Sequence, residues 1–153
     1  MMRPAKTDDL MSLLEMERAT NTVALAHVFP ADLPFPSDDV LAQWRIVLDD
    51  PTSTVLIDEM DTGPVGYVAF GGGWLLHLGV VPSWWGSGRA KTLHAAAVAG
   101  LIAAGARTTY LWVLAENHRA RAFYARQGWQ ETGMREPSAY VPHPVKVQMT
   151  RTG

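Results

Sequence analysis

The chain has 153 residues, of which 48% are apolar and 18% charged, with a formal net charge of -2. These values predict one folded domain spanning residues 1–153 and exclude a disordered chain. Cysteine is absent, which excludes disulfides, thiolate metal sites and cysteine nucleophiles and suits a cytoplasmic protein. We expect no signal peptide and no membrane span. The sequence also lacks the compact run of basic residues that is typical of nucleic-acid binding.

The first half of the chain predicts two helices followed by a β-hairpin. Apolar residues recur at helical spacing in residues 8–20 and again after Ser37, which is expected to be the N-cap of the second helix. Three prolines in residues 27–36 exclude a regular helix there. Residues 52–58 and 65–70 have β-rich composition and flank a turn, so they are expected to pair.

The second half alternates strands with helices. Strands are expected at residues 75–81 and 109–114, and helices at 88–104 and 117–127, each helix followed by glycine. Residues 129–132 and 145–150 are expected to be closing strands. This order predicts a mixed α/β sheet with helices on both faces.

A glycine-containing turn joins the strand at 75–81 to the following helix. Gly86 and Gly88 permit positive φ, and the first amides of the helix have no intrahelical partner, so the turn is suited to an anion such as a pyrophosphate. Arg89 and Lys91 add positive charge. The alternative is a tight turn without a ligand. Neither a Walker A motif nor a dinucleotide fingerprint fits, because the glycines that each requires are missing.

A second pattern begins the helix at 117–127. Asn117 is placed as its N-cap, and Tyr124 follows two turns later. From the pattern alone, Phe123 and Tyr124 could equally be core residues.

Together the two patterns resemble the GNAT superfamily of acetyl-CoA-dependent N-acetyltransferases. Trp85-Gly86-Ser87-Gly88-Arg89-Ala90 is similar to the family motif (Gln/Arg)-x-x-Gly-x-(Gly/Ala), although Trp85 replaces the usual polar residue. Asn117, Ala120, Phe123, Tyr124, Gly128 and Trp129 match the Asn-x-x-Ala-x-x-Phe-Tyr-x-x-x-Gly-(Phe/Trp) signature. The resemblance implies a mostly antiparallel central sheet in which two parallel strands splay apart to hold acetyl-CoA.

The same resemblance implies roles for individual residues. The main chain at Leu78 and Val80 would pair with pantetheine, the turn amides would hold the pyrophosphate, and Tyr124 would donate a proton to the leaving thiolate. The implied cofactor-binding residues are Leu78, Gly79, Val80, Gly86, Ser87, Gly88, Arg89, Ala90, Lys91, Asn117 and Tyr124. Tyr124 is also the implied catalytic residue, and no metal is expected.

The base that deprotonates the amine is not evident from the sequence. Positions that carry a glutamate in many relatives are here Trp74, Leu76 and Trp112. His77 is a weak candidate, because strand alternation places it opposite Leu76; water is the other. Glu116 and His118 are expected to face solvent, and Trp74 and Trp112 to lie near the acceptor cleft.

The acceptor is expected to be a small-molecule or peptide amine, and the charge distribution favours a cationic one. Residues 1–88 contain 12 acidic and 4 basic residues, whereas residues 89–153 contain 3 and 9. Asp32, Asp38 and Asp39 flank the proline-rich segment expected over the acceptor cleft. The alternative to an enzyme is a non-catalytic acyl-CoA-binding or regulatory domain. The sequence is also compatible with a homodimer.

Overall fold

The computed structural model describes residues 1–153, and all its strands join one sheet. The strands are β1 Met2–Pro4, β2 Ser53–Met60, β3 Gly63–Gly71, β4 Trp74–Val80, β5 Thr108–Leu114, β6 Gln130–Pro137 and β7 Val145–Thr152. The α-helices are α1 Leu10–Ala24, α2 Ser37–Asp49, α3 Arg89–Ala103 and α4 His118–Arg126. None of the helices combines the length and apolar character that crossing a membrane requires.

The sheet has the strand order β1-β2-β3-β4-β5-β7-β6. Every neighbouring pair is antiparallel except β4 and β5, which are parallel. The predicted mixed, mostly antiparallel sheet is therefore confirmed, as is the hairpin of β2 and β3. The short strand β1, which pairs with β2, was not expected from the sequence.

Alternate residues of β3 supply two cores, one on each face of the sheet. Tyr67 and Ala69 pack with the apolar faces of α1 and α2, and Val68 and Phe70 pack with α3 and other strands. This alternation follows from the period of two along a strand. Helices therefore cover both faces, as predicted.

The start of α2 differs from the sequence expectation. Ser37 is the first helical residue rather than the N-cap, and Pro36 occupies the cap position. The Ser37 hydroxyl accepts a hydrogen bond from Arg18 of α1 at 2.8 Å. The serine therefore ties the two helices together instead of capping one of them.

The parallel strands β4 and β5 touch only at their beginnings. Their register contains the single pair Trp74–Tyr110, and the Tyr110 amide donates to the Gly73 carbonyl at 3.0 Å. Beyond that point the strands separate, so main-chain groups of both strands face a gap in the middle of the sheet. This gap opens into the cleft that contains the candidate site.

Candidate active site

The turn before α3 presents a row of free main-chain donors. Gly86 and Gly88 have φ of +79° and +85°, the left-handed region that glycine adopts without strain. None of the amides from Gly86 to Lys91 donates a hydrogen bond within the protein; the first amide that does is that of Thr92, to the Gly88 carbonyl. Because these amides lie at a helix N-terminus and the space beside both glycines is open, the turn fits a pyrophosphate.

The Arg89 side chain points away from this turn. Its guanidinium forms an ion pair with the buried carboxylate of Asp58 at 2.7 Å and lies 4.8 Å from the centre of the Trp84 ring. Lys91 is exposed and makes no ion pair. The Arg89 guanidinium is therefore directed to Asp58 and not to the expected phosphate. The main-chain amide of Arg89 is still free to bind one.

Substitutions at these two positions should have opposite effects. Arg89→Met should lower the free energy of unfolding by about 3 kcal/mol, because it leaves the buried Asp58 carboxylate with only the more distant terminal amine at 3.2 Å. Lys91→Met should leave stability unchanged and weaken acetyl-CoA affinity up to about fivefold, the effect of one exposed charge. Urea unfolding and calorimetry measure the two effects. Loss of affinity with full stability in Arg89→Met would contradict this assignment.

Strand β4 offers part of its main chain to the gap. The Val81 amide donates a hydrogen bond to the Val65 carbonyl of β3. Because main-chain groups alternate in direction along a strand, the N–H and C=O groups of Leu78 and the Val80 amide point the other way, toward the gap. The Val80 carbonyl already accepts hydrogen bonds from the Trp85 indole at 2.7 Å and the Thr20 hydroxyl at 3.2 Å. Trp85 replaces the polar residue that is usual at this position of the motif, yet its indole N–H still makes a polar contact with the main chain.

Gly79 has a packing role. A Cβ at this position would collide with the hydroxyl and ring of Tyr67 on β3. The glycine thus makes room for a buried tyrosine. This packing explains the glycine at position 79 without the predicted role in binding cofactor.

Helix α4 places two predicted residues in the cleft. The Asn117 side-chain oxygen accepts from the Ala120 amide at 3.3 Å, which confirms the predicted N-cap and leaves the Asn117 amide hydrogens free. Tyr124 is 8% exposed, and both Asn117 and Tyr124 line the cleft. Burial raises the pKa of Tyr124 above its usual value, so its phenol stays protonated at physiological pH.

The cleft has a volume of about 350 Å³ and extends from α4 to α1 and α2. Its far end is formed by helices α1 and α2, the loop between β6 and β7 and the proline-rich segment, which was expected to lie over the acceptor cleft. The lining residues from these segments are Glu17, Asn21, Leu25, Phe29, Gln43, Ser138, Ala139 and Tyr140. We call this part the acceptor end. Trp112 lines the cleft, whereas Trp74 does not and instead packs on Tyr110 at 5.4 Å.

Several charged residues considered from the sequence lie outside the cleft. Asp32, Asp38 and Asp39 are exposed and do not line it. Glu116 and His118 are also exposed, with side chains 63% and 70% accessible, as predicted. The acidic side chain inside the cleft is Glu17.

His77 lines the cleft and lies next to a bulge in β4. Ala69 pairs with His77 and Phe70 with Leu75, so Leu76 has no partner on β3. His77 pairs with Ala69 of the α1 and α2 core, and Leu78 pairs with Val68 of the opposite core, so His77 keeps the alternation with Leu78 and faces α1 and α2. The extra residue places Leu75 on the other face from His77. The His77 ring packs 4.5 Å from Trp44, and burial lowers the pKa of His77 to about 4, so it is neutral at physiological pH.

The sequence matches the family model described as Acetyltransferase (GNAT) family over residues 13–129. The chain belongs to the GNAT acetyltransferase family. No curated protein matches it significantly. Among solved structures, this GNAT chain is similar to the GCN5-related N-acetyltransferase from Rhodopseudomonas palustris, with a TM-score of 0.83 at 19% identity over 100% of this chain and 95% of that one.

Two further structures share the GNAT fold at low identity. The PaiA N-acetyltransferase from Thermoplasma acidophilum, in complex with coenzyme A, has a TM-score of 0.76 at 16% identity, covering 100% of this chain and 98% of that one. A variant of the spermidine N-acetyltransferase from Vibrio cholerae has a TM-score of 0.70 at 17% identity, covering 99% and 94%. At these identities the likeness establishes the fold.

Glu17 is the residue in this GNAT cleft that sequence reasoning missed. A signal was present: Glu17 follows Leu13 and Leu14 by four and three residues, so it lies on the apolar face of α1. A carboxylate on such a face is rarely left without a function or partner. Burial raises the pKa of Glu17 to about 7, with the neighbouring Trp44 indole acting in the opposite direction.

Proposed function

We propose that this chain is an N-acetyltransferase that transfers an acetyl group from acetyl-CoA to a primary amine. The observation that carries the proposal is the gap between β4 and β5, which opens into the cleft containing Tyr124. The free amides at residues 86–91 follow β4 in the chain. Membership of the GNAT family supports the acyl transfer.

Each part of the cofactor has candidate partners in this arrangement. The amides from Gly86 to Lys91 would hold the pyrophosphate, and the main chain of Leu78 and Val80 would pair with the pantetheine arm. The free amide group of Asn117 is available to the same arm. A coenzyme A complex of the structurally similar PaiA N-acetyltransferase agrees with this type of ligand.

Acetyl-CoA would supply a thioester carbonyl carbon, to which the amine nitrogen bonds as the carbon–sulfur bond breaks. Main-chain N–H groups facing the gap would stabilise negative charge on the carbonyl oxygen. The Tyr124 phenol would give its proton to the departing sulfur, and a proton lost by the nitrogen would restore the phenol.

The acceptor is proposed to be a cationic amine. The exposed carboxylates considered from the sequence do not line the cleft, but Glu17 does. Lys146, the cationic side chain of the lining, is paired with Glu136 at 3.0 Å and lies over the Trp112 ring. One structural neighbour, the spermidine N-acetyltransferase from Vibrio cholerae, is named for an acceptor of this chemical class.

We expect diamines and polyamines to show a kcat/KM at least about tenfold higher than matched amines bearing a carboxylate, because the Glu17 carboxylate in the cleft attracts a cation and repels an anion. The measurement is release of free thiol from acetyl-CoA with a panel of such acceptors. Binding of acetyl-CoA without thiol release across the panel would instead favour a non-catalytic domain, and an anionic preference would refute the cationic acceptor.

A further inference from the structure

The acceptor end of the cleft contains one carboxylate that the fold itself leaves without a strong partner. Glu17 projects from the apolar face of α1 with its side chain only 13% accessible, and it makes no hydrogen bond shorter than 3.5 Å to another side chain. The His77 ring lies beside it, with Nδ1 at 3.8 Å from the Glu17 oxygen, and the Trp44 indole, whose N–H has no hydrogen-bond partner, is a second neighbour. Burying a carboxyl group in this manner is costly unless a ligand uses it.

The groups that face Glu17 come from four different elements. They are His77 of β4, Trp44 of α2, Tyr67 of β3 and Tyr140 of the loop between β6 and β7. None of them carries a positive charge at neutral pH, because burial keeps His77 neutral. The basic neighbour on its own helix, Arg18, is directed instead to Glu15 and Ser37. The carboxylate is therefore available to a cation that enters the cleft.

Glu17 also lies in the cleft that contains Tyr124, with the buried phenol of Tyr67 in the same lining. An amine bound beside Glu17 would thus share the cleft with Tyr124, the proposed proton donor to the leaving sulfur.

We propose that Glu17 is the general base of the reaction, an inference that rests on the proposed function. Its carboxylate binds the acceptor ammonium and takes one proton from nitrogen, which leaves the nitrogen lone pair free to attack. The proton then passes from Glu17 to solvent. The second proton that nitrogen loses replaces the one that Tyr124 gives to sulfur, so one proton is released for each acetyl group transferred.

The electrostatics of the site suit this role better for Glu17 than for His77. Burial raises the pKa of Glu17 from 4.5 to about 7, which makes its carboxylate a stronger base while keeping it partly ionised at neutral pH. His77, with a pKa lowered to about 4, is a weak base, and its ring is held against Trp44.

The test compares Glu17→Gln with Glu15→Gln, an exposed glutamate two residues away on the same helix. Glu17→Gln should lower kcat/KM for a polyamine by about 100-fold or more, the usual contribution of a general base, and leave acetyl-CoA affinity unchanged. Its loss of activity should shrink for an acceptor whose amine pKa lies below 7, because that amine is already neutral. Glu15→Gln should match the wild type. Equal loss with both kinds of amine, or no loss with either, would overturn the assignment.

A second measurement needs only the wild-type protein. The kcat/KM should rise with pH through a limb near pH 7, because Glu17 must be ionised to accept a proton. That limb should stay at the same pH for two acceptors of different amine pKa. A limb that moves with the amine would overturn the role of Glu17, whereas the complete absence of thiol release by the wild type would instead refute the proposed transferase activity.

Discussion

Replacing Gly88 with valine is expected to lower acetyl-CoA affinity by at least about 100-fold. Gly88 is the cap residue of α3 and has φ of +85°, a conformation that a β-branched residue adopts only under strain. Relieving this strain, about 1–3 kcal/mol, would rotate the peptide units whose amides are proposed to hold the pyrophosphate. A valine side chain would also occupy the open space beside the turn. Calorimetric titration with acetyl-CoA measures the effect.

Gly105 provides the matched control, because it lies just beyond the other end of α3. Its φ is +99° and the space around it is equally open. Gly105→Val should therefore introduce similar backbone strain and lower stability, but leave acetyl-CoA affinity unchanged. If the two variants bound acetyl-CoA equally well, the turn at residues 86–91 would not be the pyrophosphate site.

Replacing Tyr124 with phenylalanine is expected to lower kcat about 10- to 1000-fold and to leave acetyl-CoA affinity nearly unchanged. The reason is loss of the proton that stabilises the departing thiolate. The Tyr124 ring packs against His94 and Trp129, and phenylalanine keeps these contacts. Because burial is the cause of the raised pKa and no hydrogen bond contributes, removing the hydroxyl leaves no partner unpaired.

Tyr110→Phe is the control for this substitution. Tyr110 is a partly buried tyrosine on β5 that packs on Trp74 and does not line the cleft. Turnover is measured by thiol release with saturating acceptor, and thermal unfolding checks that both variants fold. A wild-type kcat in Tyr124→Phe would show that the phenol is dispensable.

The elements of the fold follow from local patterns in the sequence. β-rich composition on both sides of a turn predicted the β2–β3 hairpin, helical spacing predicted α1 and α2, and terminal glycines marked the ends of α3 and α4. These signals depend on residues close together in the chain. The Asn117 cap was predictable for the same reason. Strand β1 was missed because three residues carry too little pattern to distinguish a strand from coil.

The roles of charged side chains were less predictable, because a charge finds its partner through space. Arg89 follows two turn glycines in sequence, yet its guanidinium pairs with Asp58, 31 positions earlier. The acidic residues that suggested a cationic acceptor include Asp32, Asp38 and Asp39, which face solvent. Residue counts give the sum of charges and contain no information about their direction.

The sequence by itself determined the family signature, the alternation of strands and helices, and the free amides at the start of α3, since each depends on neighbouring residues. Only the tertiary structure decided which side chains share the cleft. The packing of α2 on the sheet brought Trp44 against His77 of β4, because both belong to the face that α1 and α2 cover. The packing of α1 on the sheet buried Glu17 beside His77, because a helix must place its apolar face, including any acid on that face, against the core.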